Sequence, residues 1–126
     1  MQNLKAIVFD LDDTLYPERQ YVHSGMHAVA AWGHRQFGYP AERTAGELLE
    51  LFAQHGSGTI FDSWLRDKGL DLDEWLPSMV DAYRAHSPSI SPHEGVRELL
   101  ARLRHTYRHG LVTDGHLAVQ QAKVTA

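Results

Sequence analysis

The sequence contains no cysteine, which excludes a disulfide framework and a thiol nucleophile and is compatible with a reducing compartment. It has no apolar run of membrane-spanning length, and Met1 leads directly into an apolar segment, so we expect no signal peptide. The net charge of −4 lacks the basic excess of a nucleic-acid-binding domain. These absences predict a cytoplasmic protein with neither a nucleic-acid nor a membrane partner.

What is present suits a globular protein. The 126 residues are 43% hydrophobic and 22% charged, which is an ordinary balance for a domain with its own core. The apolar run at residues 6–9 favours a short strand, buried on both faces of a parallel sheet.

Three carboxylates follow this strand within four residues. Open α/β sheets bind ligands at the carboxyl ends of their strands. Asp10 and Asp12 project to the same side of an extended chain, where their like charges favour a divalent cation such as Mg²⁺ between them. The alternative is that Asp12 and Asp13 only form an Asx-turn at the strand exit.

The middle of the chain carries helical periodicity and no strand pattern. Glycine, proline and a capping pair, Asp71 with Glu74, divide it into segments. The predicted helices cover residues 21–37, 40–56, 60–69 and 71–83. We expect a small helical bundle with its own core.

After a proline-containing return segment, the pattern predicts a helix with an apolar face at Val96, Leu99, Leu100 and Leu103, and a second short strand at 110–113. Strand, insertion, helix and strand make a βαβ crossover that is interrupted after its first strand. The predicted division is an α/β core of residues 1–16 and 87–126 with a helical insertion of residues 17–86.

The end of the second strand supplies the other half of a site. Parallel pairing would place Thr113 beside Asp10, and the backbone N–H groups of Asp114 and Gly115 would form an anion cradle at a helix N-terminus. We expect the Asp114 side chain to be a helix N-cap rather than a ligand, because its charge would oppose a bound phosphate. Thr113, for its part, could be a plain strand-end threonine.

Together these residues resemble two motifs of the haloacid dehalogenase superfamily. Residues 10–14 (Asp-Leu-Asp-Asp-Thr) are similar to the first motif, and residues 111–115 (Leu-Val-Thr-Asp-Gly) are similar to the second. The helical block between them resembles the cap that many members insert there, and residues 15–17 look like those of phosphatase and nucleotidase branches. The resemblance implies an α/β fold with a Rossmann-like parallel sheet, here incomplete, and an inserted all-helical cap.

The resemblance also implies a Mg²⁺-dependent phosphatase acting on a small phosphorylated metabolite. Asp10 would be the nucleophile that forms an aspartyl-phosphate, and Asp12 the general acid/base. Thr113, Asp114 and Gly115 would hold the phosphate. Mg²⁺ would be bound by the Asp10 carboxylate and the Asp12 backbone carbonyl. A phosphomutase or nucleotidase, or a non-catalytic remnant or interaction module of this fold, are the alternatives.

The chain departs from the family after the second motif. The lysine or arginine of the third motif and the acids of the fourth are not recognisable. Lys5 lies roughly 16 Å from Asp10 at about 3.3 Å per residue. Lys123 is expected roughly 10 Å or more along a helix that leads away from the site, and Lys68 belongs to the cap. We therefore expect a truncated chain that can self-associate through uncovered sheet edges.

Nine histidines raise the question of a second metal site. His23 with His27, and His105 with His109, have the i, i+4 spacing of a possible zinc pair on a helix, but no third ligand stands out. His116, just after the cradle, could line the phosphate site or simply face solvent.

Overall fold

The computed structural model describes residues 5–56 and 58–126. Its elements, in chain order, are β1 (Ala6–Asp10), α1 (Glu18–Phe37), α2 (Ala41–His55), α3 (Ile60–Asp67), α4 (Leu72–Ala85), α5 (Val96–Leu103), β2 (Arg108–Val112) and α6 (Leu117–Thr125). Among these residues no helix is long and apolar enough to cross a membrane.

The described chain forms two compact units. The first, called here the sheet unit, contains residues 5–21 and Ser87–Ala126. The second, called the helical unit, is Val22–His86. Helix α1 begins in the sheet unit and continues into the helical unit.

In the sheet unit, β1 and β2 are parallel neighbours, with Ala6 paired with Arg108 and Asp10 paired with Val112. Helix α5 lies between the strands in sequence, as the crossover pattern predicts. Strand β1 extends one residue beyond its predicted end, and β2 begins two residues before its predicted start.

The prediction that β1 and β2 are buried on both faces is wrong, because one face of this two-stranded sheet is exposed. Val8 is 60% exposed and Val112 is 63% exposed. Side chains alternate along a strand, so the pairing register places these two residues on one face of the sheet. The described part of the chain pairs two strands only, and no element covers that face.

The helical unit has a dense core. Its most deeply buried side chains include Leu48, Trp64, Leu65 and Met79, and aromatic rings from α1, α3 and α4 pack around them. At Gly25 an added Cβ atom would lie 2.1 Å from the Tyr83 ring, so this ring occupies the space that a side chain at position 25 would need. This core matches the helical periodicity of the sequence.

Helix α1 starts three residues earlier than its periodicity indicates. The carboxylate of Asp13 accepts a hydrogen bond from the Glu18 backbone N–H at 2.8 Å, which satisfies a donor in the first turn. At the start of α4, Asp71 accepts a hydrogen bond from the Asp73 N–H, as expected for its N-cap residue.

Candidate functional site

Asp10 is the last residue of β1, and its side chain is exposed. The Thr14 hydroxyl donates a long hydrogen bond of 3.4 Å to its Oδ2. The turn between them contains Asp13 in the left-handed region, with φ 58°, which aspartate tolerates better than most residues. An exposed carboxylate at the carboxyl end of a strand is accessible to a ligand.

Asp12 lies on a hydrogen-bonded network rather than in open solvent. Its Oδ1 accepts hydrogen bonds from the Tyr16 hydroxyl at 2.6 Å and from the Lys123 ammonium at 2.8 Å. Its Oδ2 accepts a hydrogen bond from the Gln120 amide at 3.2 Å. Both carboxylate oxygens therefore have donors, so the backbone carbonyl is the better candidate for a metal contact from this residue.

These contacts and burial shift the pKa values of Asp12 and Tyr16 in opposite directions. Burial on its own would raise the pKa of Asp12, but hydrogen bonds from Lys123, Tyr16 and Gln120 and the lysine charge outweigh it and lower the pKa below its usual value. Burial and the Asp12 carboxylate raise the pKa of Tyr16 far above that of a free phenol. Tyr16 is therefore a permanent donor to Asp12.

Thr113 follows the last residue of β2. The strand register pairs Asp10 with Val112, so Thr113 lies one residue beyond the level of Asp10. The same Gln120 amide nitrogen that contacts Asp12 lies 2.5 Å from the Thr113 hydroxyl. The structure thus connects Thr113 to Asp12 through one glutamine side chain.

The turn after β2 differs from its prediction at Asp114. The residue that caps α6 is His116, which has no side-chain cap hydrogen bond, so Asp114 is not the helix N-cap. Gly115 adopts φ 124°, a conformation that favours glycine, and an added Cβ atom would lie 3.4 Å from Gln120 Cδ. Gly115 therefore both permits the turn and leaves space for the glutamine that contacts Thr113.

The expectation that Lys123 is carried away from the site is wrong. Helix α6 passes beside Asp12, and the lysine side chain spans the remaining distance to form the ion pair. Gln120 and Lys123 are three residues apart and so share a helix face. Their spacing alone does not identify them in the sequence, because their burial follows from the direction in which α6 runs.

The histidines do not converge. His105 follows the end of α5 and His109 lies in β2, so they are not a pair on a helix. His23 and His27 stack on α1 with ring centroids 4.7 Å apart, and His116 is exposed. In residues 5–56 and 58–126, no group of three or more histidine, aspartate or glutamate residues could hold a metal.

Curated relatives of this chain are phosphatases. It is 32% identical over 127 residues to a glyceraldehyde 3-phosphate phosphatase of Pyrococcus abyssi, in an alignment covering 96% of this chain and 53% of the relative. It is 30% identical over 130 residues to the protein of the same name in Pyrococcus furiosus, covering 98% of this chain and 54% of the relative. The chain spans about half the length of these relatives.

Solved structures show the same fold. A haloacid dehalogenase-like family hydrolase from Xanthomonas campestris superposes with a TM-score of 0.51 at 22% identity, covering 99% of this chain and 57% of that one. The HAD-hydrolase YfnB from Bacillus subtilis, bound to magnesium, gives 0.55 at 16% identity, covering 98% and 58%. These likenesses confirm the predicted α/β fold with inserted helices. The family model described as haloacid dehalogenase-like hydrolase matches residues 7–126, and the chain belongs to this family.

Proposed function

We propose that the protein is a Mg²⁺-dependent phosphoric monoester hydrolase that works through an aspartyl-phosphate on Asp10. The observation that carries this proposal is the Gln120 side chain, which contacts both Asp12 and Thr113. It holds the proposed acid/base and the proposed phosphate-binding hydroxyl in one cluster at the carboxyl ends of the two strands. The family and the phosphatase relatives support the same reaction class.

Asp10 performs the first displacement. A carboxylate oxygen attacks phosphorus, the new bond to Asp10 forms, and the bond from phosphorus to the alcohol oxygen of the substrate breaks. The exposure of Asp10 leaves it accessible to phosphorus, while the Thr14 hydroxyl restricts its rotation. Thr113, with the backbone N–H groups of Asp114 and Gly115, holds phosphoryl oxygens.

Asp12 transfers the protons. As an acid it gives a proton to the departing alcohol oxygen, and as a carboxylate it then takes one from the water that attacks the aspartyl-phosphate. Release of orthophosphate restores Asp10. The lowered pKa of Asp12 suits the second step, and the negative charge of a bound phosphomonoester raises that pKa for the first.

Two oxygen donors of the chain would hold a magnesium ion, namely the exposed Asp10 carboxylate and the Asp12 backbone carbonyl. Mg²⁺ commonly keeps several waters and takes only one or two protein carboxylates together with substrate phosphate, so this small donor set suits it. A bound Mg²⁺ would supply positive charge against the phosphoryl oxygens.

Glyceraldehyde 3-phosphate is the first substrate to test, since the Pyrococcus relatives are named for it. We expect orthophosphate release from it, or from another small phosphomonoester, in the presence of Mg²⁺, and loss of that release with a chelator. The Pyrococcus abyssi enzyme serves as the positive control in the same assay. A folded chain that releases no phosphate from any phosphomonoester beside an active control would favour the non-catalytic interaction module.

We also propose that the exposed face of the sheet pairs with a second copy of the chain. Val8 and Val112 lie on this face, and parallel sheets normally bury both of their faces. The opposite side of the sheet borders an apolar cleft of about 350 Å³, lined in part by Phe9, Leu111 and Val124.

Charging this face is expected to prevent association. The Val8→Lys and Val112→Lys double variant should shift the chain from dimer to monomer in size-exclusion chromatography with light scattering. Lysine side chains on an apolar face or a strand edge disfavour association with another chain. Gln121→Lys, at an exposed position on α6, is the control for added charge. A wild-type chain that stays monomeric at high concentration contradicts the dimer.

A further inference from the structure

Helix α6 buries two polar side chains that take no direct part in the proposed proton and phosphoryl transfers. Gln120 is 6% exposed and Lys123 is 7% exposed. A buried ammonium group is costly unless a charge and hydrogen bonds compensate it, so its position is set by specific partners. Both residues lie in the sheet unit, together with Asp10, Asp12 and Thr113.

The partners of Lys123 enclose it on several sides. Its Nζ atom lies 2.8 Å from Asp12 Oδ1, 4.2 Å from the centre of the Tyr21 ring and 5.9 Å from that of the Tyr16 ring. Aromatic faces attract cations at such distances. Both tyrosines are almost fully buried, so this enclosure leaves the ammonium little freedom to move.

The Asp12 carboxylate is held by hydrogen bonds at both of its oxygens. Lys123 and Tyr16 donate to Oδ1, whereas Gln120 donates to Oδ2, which fixes the plane of the carboxylate. The contact between Gln120 and Thr113 fixes the distance from this carboxylate to the threonine hydroxyl. Removing either α6 side chain would release one of these restraints.

We propose that Lys123 and Gln120 are positioning residues, with Lys123 fixing the orientation of Asp12 and Gln120 fixing the separation of Asp12 and Thr113. This role rests on the proposed function, in which Asp12 transfers protons and Thr113 holds phosphate. Neither residue is assigned a contact with the substrate. Both act through the groups they hold, so Lys123 affects the rate of the chemical step, whereas Gln120 affects both that rate and the binding of phosphate by Thr113.

The first test measures the ion pair without any assay of activity. Urea unfolding is followed by circular dichroism for the wild type, Lys123→Met, Asp12→Asn and the double variant. We expect the midpoint shifts to be non-additive, with the double variant losing less than the sum of the single losses, because the second change removes a charge whose partner is already gone. Lys68→Met combined with Asp12→Asn is the additive control, since Lys68 pairs with Glu47 in the helical unit.

The second test uses turnover. Lys123→Met and Gln120→Leu are expected to lower kcat by about 100-fold, since small displacements of a catalytic group have effects of this size. KM should stay nearly unchanged in Lys123→Met and rise in Gln120→Leu, because Gln120 also positions the phosphate-binding Thr113. Ethylammonium added to Lys123→Ala should restore part of kcat, because it returns a cation to the enclosed space. Lys68→Met and Gln121→Leu should keep the wild-type kcat.

The outcomes separate this inference from the function on which it rests. Additive midpoint shifts for Lys123→Met with Asp12→Asn, or a wild-type kcat in both α6 variants, overturn the positioning role. Loss of kcat with no recovery in ethylammonium also counts against it for Lys123. Near-normal turnover in Asp10→Asn, or no turnover in the wild type, overturns the proposed function instead.

Discussion

Replacing Asp10 by asparagine is expected to abolish phosphate release in any version of the protein that hydrolyses phosphomonoesters. The amide oxygen is a much poorer nucleophile than the carboxylate, so the aspartyl-phosphate cannot form. Asp12→Asn keeps the nucleophile but removes proton transfer, a contribution of about 10²–10⁴-fold. We expect this second variant to retain some phosphoenzyme formation, which acid quenching and mass spectrometry of the Asp10 peptide can detect.

Asp13→Asn is the matched control, because it makes the same chemical change one residue after Asp12. The Asp13 carboxylate accepts the Glu18 N–H, and an asparagine side-chain oxygen can accept it equally well. Turnover should therefore stay at the wild-type level in this variant. The mechanism is contradicted if Asp10→Asn turns over at a near-normal rate, or if Asp13→Asn loses as much activity as Asp10→Asn.

The helices were predictable because their signals are local. Periodicity, glycine and proline positions and the Asp71 cap are read within a few residues, and α2, α3 and α4 follow them closely. The start of α1 was misplaced because its capping contact comes from Asp13, outside the periodic segment. The i, i+4 spacing of His105 and His109 indicated a helix, but α5 ends at Leu103 and His109 lies in β2. The spacing of two histidines is therefore too short a signal to predict a helix.

The candidate site was predictable only in part, because it is assembled by long-range contacts. The apolar run and its carboxylates indicated where Asp10 and Asp12 lie. The ion pair between Asp12 and Lys123 joins residues 111 positions apart, and no local pattern shows in which direction α6 runs. An estimate along the helix axis also neglects the reach of a lysine side chain.

The stability of the helical unit gives the second large expected effect. Leu65→Ala should destabilise this unit by about 2–5 kcal/mol, because the leucine is fully buried and its removal leaves a cavity among aromatic rings. All three tryptophans, Trp32, Trp64 and Trp75, belong to Val22–His86, so their fluorescence reports the unfolding of this unit. Urea titration followed by tryptophan emission measures the change directly.

Leu117→Ala makes the same chemical change at a site that is 74% exposed, on α6 in the sheet unit. Little apolar area is buried there, so the cost should stay within about 0.5 kcal/mol by circular dichroism and leave the tryptophan transition unmoved. A fluorescence midpoint that moves equally in both variants would show that the loss does not depend on the burial of Leu65. A negligible effect of Leu65→Ala would contradict the packed core, since a tightly packed interior cannot lose three carbon atoms without cost.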